Sequence, residues 1–186
     1  RVRVRMENCG RTVSGQIVPE AKCYPNFRRP RVEKREKKIP DFRYQYTDTK
    51  EPDADFSTKE VVAECKRLGL PEKKREFNKL YVKEGIRRFH DPGHGYAVGS
   101  SSAMMIGYLQ DMSPLVAHAE VDAESKSNGL GDLFLSKTGW VEKGVSHLDS
   151  SFVRGSPPEN FSLIHLWLDL RNTAKVGKVR NIPKPL

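Results

Sequence analysis

Ser57-Thr58-Lys59-Glu60-Val61-Val62-Ala63-Glu64-Cys65-Lys66-Arg67-Leu68-Gly69-Leu70-Pro71 is the stretch on which the fold turns. Ser57 and Glu60 stand at the spacing of a capping box, in which the hydroxyl takes the Glu60 amide and the carboxylate reaches back. Val61, Val62, Cys65 and Leu68 then recur at helical spacing, and Gly69 with Pro71 supplies a stop. The pattern predicts a short helix with Cys65 on its apolar face as a core thiol. A second helix is expected from about residue 72 to 89, with Phe77, Leu80, Tyr81, Val82, Ile86 and Phe89 on its apolar side. Gly85 inside it costs about 1 kcal/mol relative to Ala. Asp91-Pro92-Gly93 ends it. The two form a helical hairpin whose second member carries Lys73, Lys74, Arg75, Lys79, Lys83, Arg87 and Arg88, a basic solvated face. A DNA-reading helix-turn-helix would want a third helix, and none is evident.

C-terminal to the hairpin, residues 95–109 form a small-residue apolar run that reads as a buried helix or strand, and Leu115 to Val121 is a shorter apolar piece. Residues 122–132 read as an exposed acidic loop. Short strands are expected around 133–135 and 140–145. The most hydrophobic run, Phe161 to Leu170, suits either a buried strand or a short helix.

N-terminal to it, Val2, Val4 and Met6, then Val13, Ile17 and Val18, predict one or two short strands around Asn8-Cys9-Gly10. Beyond them Pro19, Pro25, Pro30, Pro40 and Pro52 break regular structure. Between these prolines stand Arg28, Arg29, Arg31, Arg35, Lys37, Lys38 and Arg43, interleaved with Tyr44, Tyr46 and other aromatics. The expected fold is therefore α+β: a helical hairpin packed on a small mixed α/β layer, with extended basic arms at both termini. Residues 1–56 are expected to form a basic arm with short strands, 57–170 a small globular domain, and 171–186 a basic C-terminal arm.

The net charge of +9 is segregated. Residues 1–50 hold 14 basic and six acidic side chains, residues 91–170 hold four and ten, and the last 16 hold five basic and no acidic ones. Basic ends around an acidic middle point to polyanion contacts. No stretch of about 18 apolar residues suggests a membrane span. Cys9, Cys23 and Cys65 match no zinc or redox spacing, and an odd count favours free thiols in a reducing compartment. Basicity and an opening residue other than Met suggest the mitochondrial matrix side after removal of a presequence.

Motifs for chemistry are sparse. His90-Asp91 with His94 is the best metal-like cluster, yet a helix-ending turn explains it as well. Gly93-His94-Gly95 and Gly99 lack the spacing and context of a dinucleotide loop. The serines lack a nucleophile elbow, and His147 and His165 have no assembled triad. No cofactor is expected. The composition thus predicts a non-catalytic structural subunit of a large ribonucleoprotein, an organellar ribosome by preference. In that reading Arg28, Arg29, Arg31, Arg35, Lys37, Lys38, Arg43, Tyr44, Tyr46, Lys175, Lys178 and Arg180 meet RNA or neighbouring proteins. A soluble accessory subunit of a respiratory or ATP-synthase assembly, with peripheral contact to anionic lipid, is the alternative. A small metal-dependent enzyme at His90, Asp91 and His94 is the third.

Overall fold

A computed structural model describes residues 2–8, 11–19, 39–47, 52, 58–97, 99–141, 144–155 and 158–171. The chain is α+β, built on one eight-stranded mixed sheet in the order β1-β2-β3-β4-β5-β8-β7-β6. β1 (Val2–Asn8), β2 (Arg11–Pro19), β3 (Phe42–Thr47) and β4 (Thr58–Leu68) form an antiparallel meander. β5 (Ser102–Leu109) and β8 (Asn160–Asp169) continue the sheet parallel to β4, and β7 (Val145–Val153) with β6 (Phe134–Val141) closes it antiparallel.

The deciding stretch is thus a strand, and the helix expected over 57–68 does not exist. Val61 and Val62 are β-branched and fit a pleated surface. β4 lies between an antiparallel and a parallel neighbour, so its main chain is paired along both edges. Val62 and Leu68 are buried on one face and Ala63 on the other, and apolar residues drawn from two faces satisfy helical spacing by coincidence. The helical hairpin falls with it.

Only the second helix of that pair is helical. Glu72 to Arg75 close a tight turn through two main-chain bonds, 3.0 and 2.9 Å, with Lys73 at φ 56°, so the helix starts later than residue 72. It runs as α1 (Phe77–Tyr81), a π-helical turn (Val82–Ile86) and α2 (Arg87–His90), and ends at extended Asp91. α3 (Pro114–Ser127) follows β5, capped by Ser113, whose hydroxyl accepts from Val116 N at 3.3 Å. Residues 122–127, expected as loop, are its last turns, because Val121 and Ser125 are buried on its inner side.

Residues directly paired across strands share a face. Glu64 and Leu68 therefore align with Met105 and Leu109, while Ala103, Met105 and Gly107 align with Leu163, His165 and Trp167. Both crossovers cover this face. Asn78 on α1 donates to Glu120 on α3 at 2.7 Å, and Tyr81 reaches His165 from above. Gly107 is required here: a Cβ would stand 2.6 Å from Leu68 and 2.7 Å from Trp167. The run 161–170 is settled as strand β8, since alternate residues Phe161, Leu163, His165 and Trp167 are buried. No helix among the described residues is long and apolar enough to cross a membrane. Residues 20–38 and 172–186, which carry nine of the twelve residues expected to meet RNA or partners, lie outside the described residues.

Candidate functional site

β3 begins at Phe42, which pairs with Ala63. From Glu64 to Leu68, β4 therefore has β5 on one side and a notch on the other. One more step of the register sets Asp41 across from Glu64. The N–H and C=O of one strand residue point the same way, and those of Cys65 point into the notch. Its N–H donates to Asp41 Oδ2 at 2.6 Å, and its carbonyl accepts from Lys66 Nζ at 3.2 Å.

Glu64 and Lys66, two residues apart on a strand, share the helix-covered face. Glu64 is 1% exposed. Its Oε1 takes both Lys66 Nζ and Arg88 Nη1, while its Oε2 is buried and has no hydrogen-bond partner. Burial holds this carboxyl above the ordinary carboxylate range, against the pull of Lys66 and Arg88, and the Asp41 charge adds to the rise. Arg88, from α2, also donates to Tyr96 Oη at 3.4 Å, and Tyr96 donates to Ile39 O at 2.7 Å. The π-helical turn passes above: Lys66 Cγ lies 3.5 Å from the place a Gly85 Cβ would occupy. The Cys65 thiol itself faces away. Tyr108 donates to its Sγ at 3.6 Å, and that bond, with burial, pushes the phenol up to about 12; burial likewise raises the thiol.

The notch thus gathers two carboxylates, a main-chain carbonyl and two cations. Among the described residues no group of three or more His, Cys, Asp or Glu side chains is placed to hold a metal. The donor set of Asp41, Glu64 and the Cys65 carbonyl is all oxygen, and one or two carboxylates completed by water and phosphate is how Mg2+ is bound. An under-bonded buried carboxylate oxygen calls for an explanation in any native fold. A cation drawn to Oε2 supplies one.

A second buried polar cluster lies on the same face of the sheet, beyond β5. Trp167 Nε1 donates to Tyr81 Oη at 3.0 Å, so the tyrosine proton goes to His165 Nδ1 at 2.8 Å. His165 is then neutral, and its Nε2–H donates to Ser150 Oγ at 2.9 Å. Burial drives the imidazole down to about 3 and the Tyr81 phenol well above its usual value. His165, Tyr81 and Trp167 are sealed from solvent, so this serine–histidine pair meets no substrate.

The residues expected to bind RNA or partners fare unevenly. Arg28, Arg29, Arg31, Arg35, Lys37, Lys38, Lys175, Lys178 and Arg180 lie outside the described residues. Arg43 is on β3, 5% exposed, and its Nε donates to Glu60 at 2.6 Å. Tyr44 and Tyr46 are on the same strand, with ring centroids 6.0 Å apart. Of the histidine cluster, Asp91 accepts from Gly93 N at 2.8 Å and closes the turn, with His94 Nε2 3.9 Å from its carboxylate. His90 packs against the Phe152 ring at 5.5 Å. Asp41, Glu64 and Lys66 were not anticipated. The signal was there: Pro40-Asp41 opening a strand, and an acid-x-Lys pair inside a Val-rich one. The chain matches no protein-family model, no curated protein and no solved structure, so its function rests on this geometry.

Proposed function

We propose that the protein is a metal-dependent phosphodiester hydrolase acting on nucleic acid. The observation that carries the reading is the buried Glu64, one oxygen unpartnered, facing Asp41 across the notch with Lys66 beside it. Asp41, Glu64 and the Cys65 carbonyl would hold a divalent cation. A divalent cation held there would supply Lewis-acid polarisation of a phosphoryl oxygen and a more nucleophilic water. Lys66 stabilises charge growing on the phosphate oxygens. Water oxygen bonds to phosphorus and gives up a proton to solvent, one P–O ester bond breaks, and the departing alkoxide takes a proton from solvent. A phosphodiester and water become a phosphomonoester and an alcohol.

The polyanionic substrate follows from the net charge of +9 and the basic stretches at both ends. The non-catalytic ribonucleoprotein subunit shares this partner, resting on the basic, aromatic-bearing, proline-broken arm and the basic tail, but gives no reason for an under-bonded Glu64. The test is cleavage of labelled DNA and RNA with Mg2+ or Mn2+, beside Glu64→Gln and Lys66→Met. Roughly 10²–10³-fold loss of kcat in each variant is expected, with nucleic-acid binding retained. Binding without cleavage by the wild-type chain would return the protein to the non-catalytic reading.

A further inference from the structure

Arg88 is set up to change partners. Its Nη1 serves both Glu64 Oε1 and Tyr96 Oη, while Nε and Nη2 donate to no group in the described structure. The guanidinium is partly open to solvent, with 28% of the side chain exposed, and stands 5.9 Å over the Tyr96 ring. Tyr96 is itself pinned. Its hydroxyl is held by Ile39 O, and the loop behind it by buried Arg154, which donates to the carbonyls of Ala97 and Ser100 at 3.2 and 2.7 Å. A planar fork with three unused donors is matched to phosphate.

Two cations crowd one oxygen of Glu64 while the other oxygen stays bare. That arrangement balances charge only while no metal is present. A divalent cation at Oε2 would stand close to both Lys66 and Arg88. Lys66 also bonds the Cys65 carbonyl of its own strand; Arg88 comes from a different element and is partly exposed.

Resting on the hydrolase reading, we propose that Arg88 is a counter-ion that yields Glu64 to the metal and then grips the phosphate being cleaved. It is thus a catalytic residue that also tunes metal affinity, and the two roles pull in opposite directions. Removing its charge should tighten metal binding while slowing the reaction.

The experiment uses the full chain and Mn2+ alone, titrated by calorimetry into wild type, Arg88→Met, Arg88→Lys and Glu64→Gln, followed by kcat and KM for each on one labelled nucleic acid. Arg88→Met should bind Mn2+ about fivefold or more tightly, yet lose roughly 10²-fold in kcat. Arg88→Lys should restore the metal affinity to the wild-type value and only part of kcat, because an ammonium is not a fork. Unfolding midpoints check that every variant is folded, and Arg88→Lys keeps the question open to decision if Arg88→Met is not. Unchanged or weaker Mn2+ binding in Arg88→Met, or a wild-type kcat in either Arg88 variant, overturns the role of Arg88 alone. Mn2+ binding that Glu64→Gln leaves untouched, or none by wild type, overturns the hydrolase reading and this inference together.

Discussion

Two polar clusters sit on the same face of one sheet, and they differ in how their hydrogen bonds close. Around His165 each side chain finds a partner for its polar atoms: Trp167 with Tyr81, Tyr81 with His165, His165 with Ser150. Around Glu64 the valences do not close, since two cations share one oxygen and the other is bare. A closed network rigidifies a core and has nothing left to offer a ligand. An open one, next to the partly exposed Lys66 and Arg88, leaves a carboxylate oxygen to offer, at a cost in stability. The serine beside a histidine is therefore part of the structural core, and the strand with an acid and a lysine is where the proposed chemistry would have to lie.

The sharpest way to break this contrast is to exchange its two predicted effects. His165→Leu should remove about 3 kcal/mol of stability, because it strands the Tyr81 and Ser150 hydroxyls in the core. The folded fraction should retain its specific activity. Glu64→Gln should behave in the opposite way, abolishing cleavage while leaving the unfolding free energy within about 1 kcal/mol of wild type, since Lys66 and Arg88 are partly exposed and can resolvate. Urea unfolding beside a cleavage assay reads both. A His165→Leu protein that is stable but inactive would reverse the assignments.

Acid supplies a gentler version of the same test. His165 is held neutral down to about 3 in the fold, against an ordinary value of 6.5. Above 6.5 neither state takes the proton, and the contribution is whole. As pH falls from 6.5 towards 3 the unfolded chain is protonated and the folded one is not, so stability is lost progressively, by up to about 5 kcal/mol in all. His165→Leu lacks this component. Its urea midpoint should therefore approach that of the wild type as pH drops from 7 to 4. Midpoints that fall in parallel would show that His165 is not the group responsible.

The closed cluster's scaffold was legible only as apolar runs left open between helix and strand, and the open cluster's was read as a helix; both outcomes come down to periodicity. β5 and β8 announce themselves as apolar runs, and the apolar side of the helix from Phe77 to His90 is plain from Phe77, Tyr81, Ile86 and Phe89. β4 carries an ambiguous pattern: Val61, Val62, Cys65 and Leu68 suit a helix as well as a strand. The choice has a chemical consequence. On a helix, residues 64 and 66 stand roughly 200° apart, so Glu64 and Lys66 look like unrelated surface charges. On a strand they share a face, and Asp41 comes opposite only once β3 is paired to β4. The local capping-box signal at Ser57 and Glu60 was outweighed by sheet pairing on both edges of β4. Pairing between residues some 23 apart is written in neither segment, so the acid-x-Lys pair of β4 and Asp41 before β3 join into one notch only once the sheet is assembled.

The smallest effect sharpens the picture of what Cys65 contributes. Its main chain lies at the centre of the notch, with N–H on Asp41 and C=O beside Lys66, but its thiol is on the opposite face under Tyr108. Cys65→Ala keeps both main-chain groups in place. It should therefore cost about 1 kcal/mol of stability through lost packing and change kcat by no more than about twofold, a free-energy difference of under half a kcal/mol. A thiol that acted as nucleophile or metal ligand would instead take most of the activity with it. Cleavage rates of Cys65→Ala decide between these outcomes, and a loss of tenfold or more would move the chemistry from the main chain of β4 to its side chain, across the sheet from Glu64.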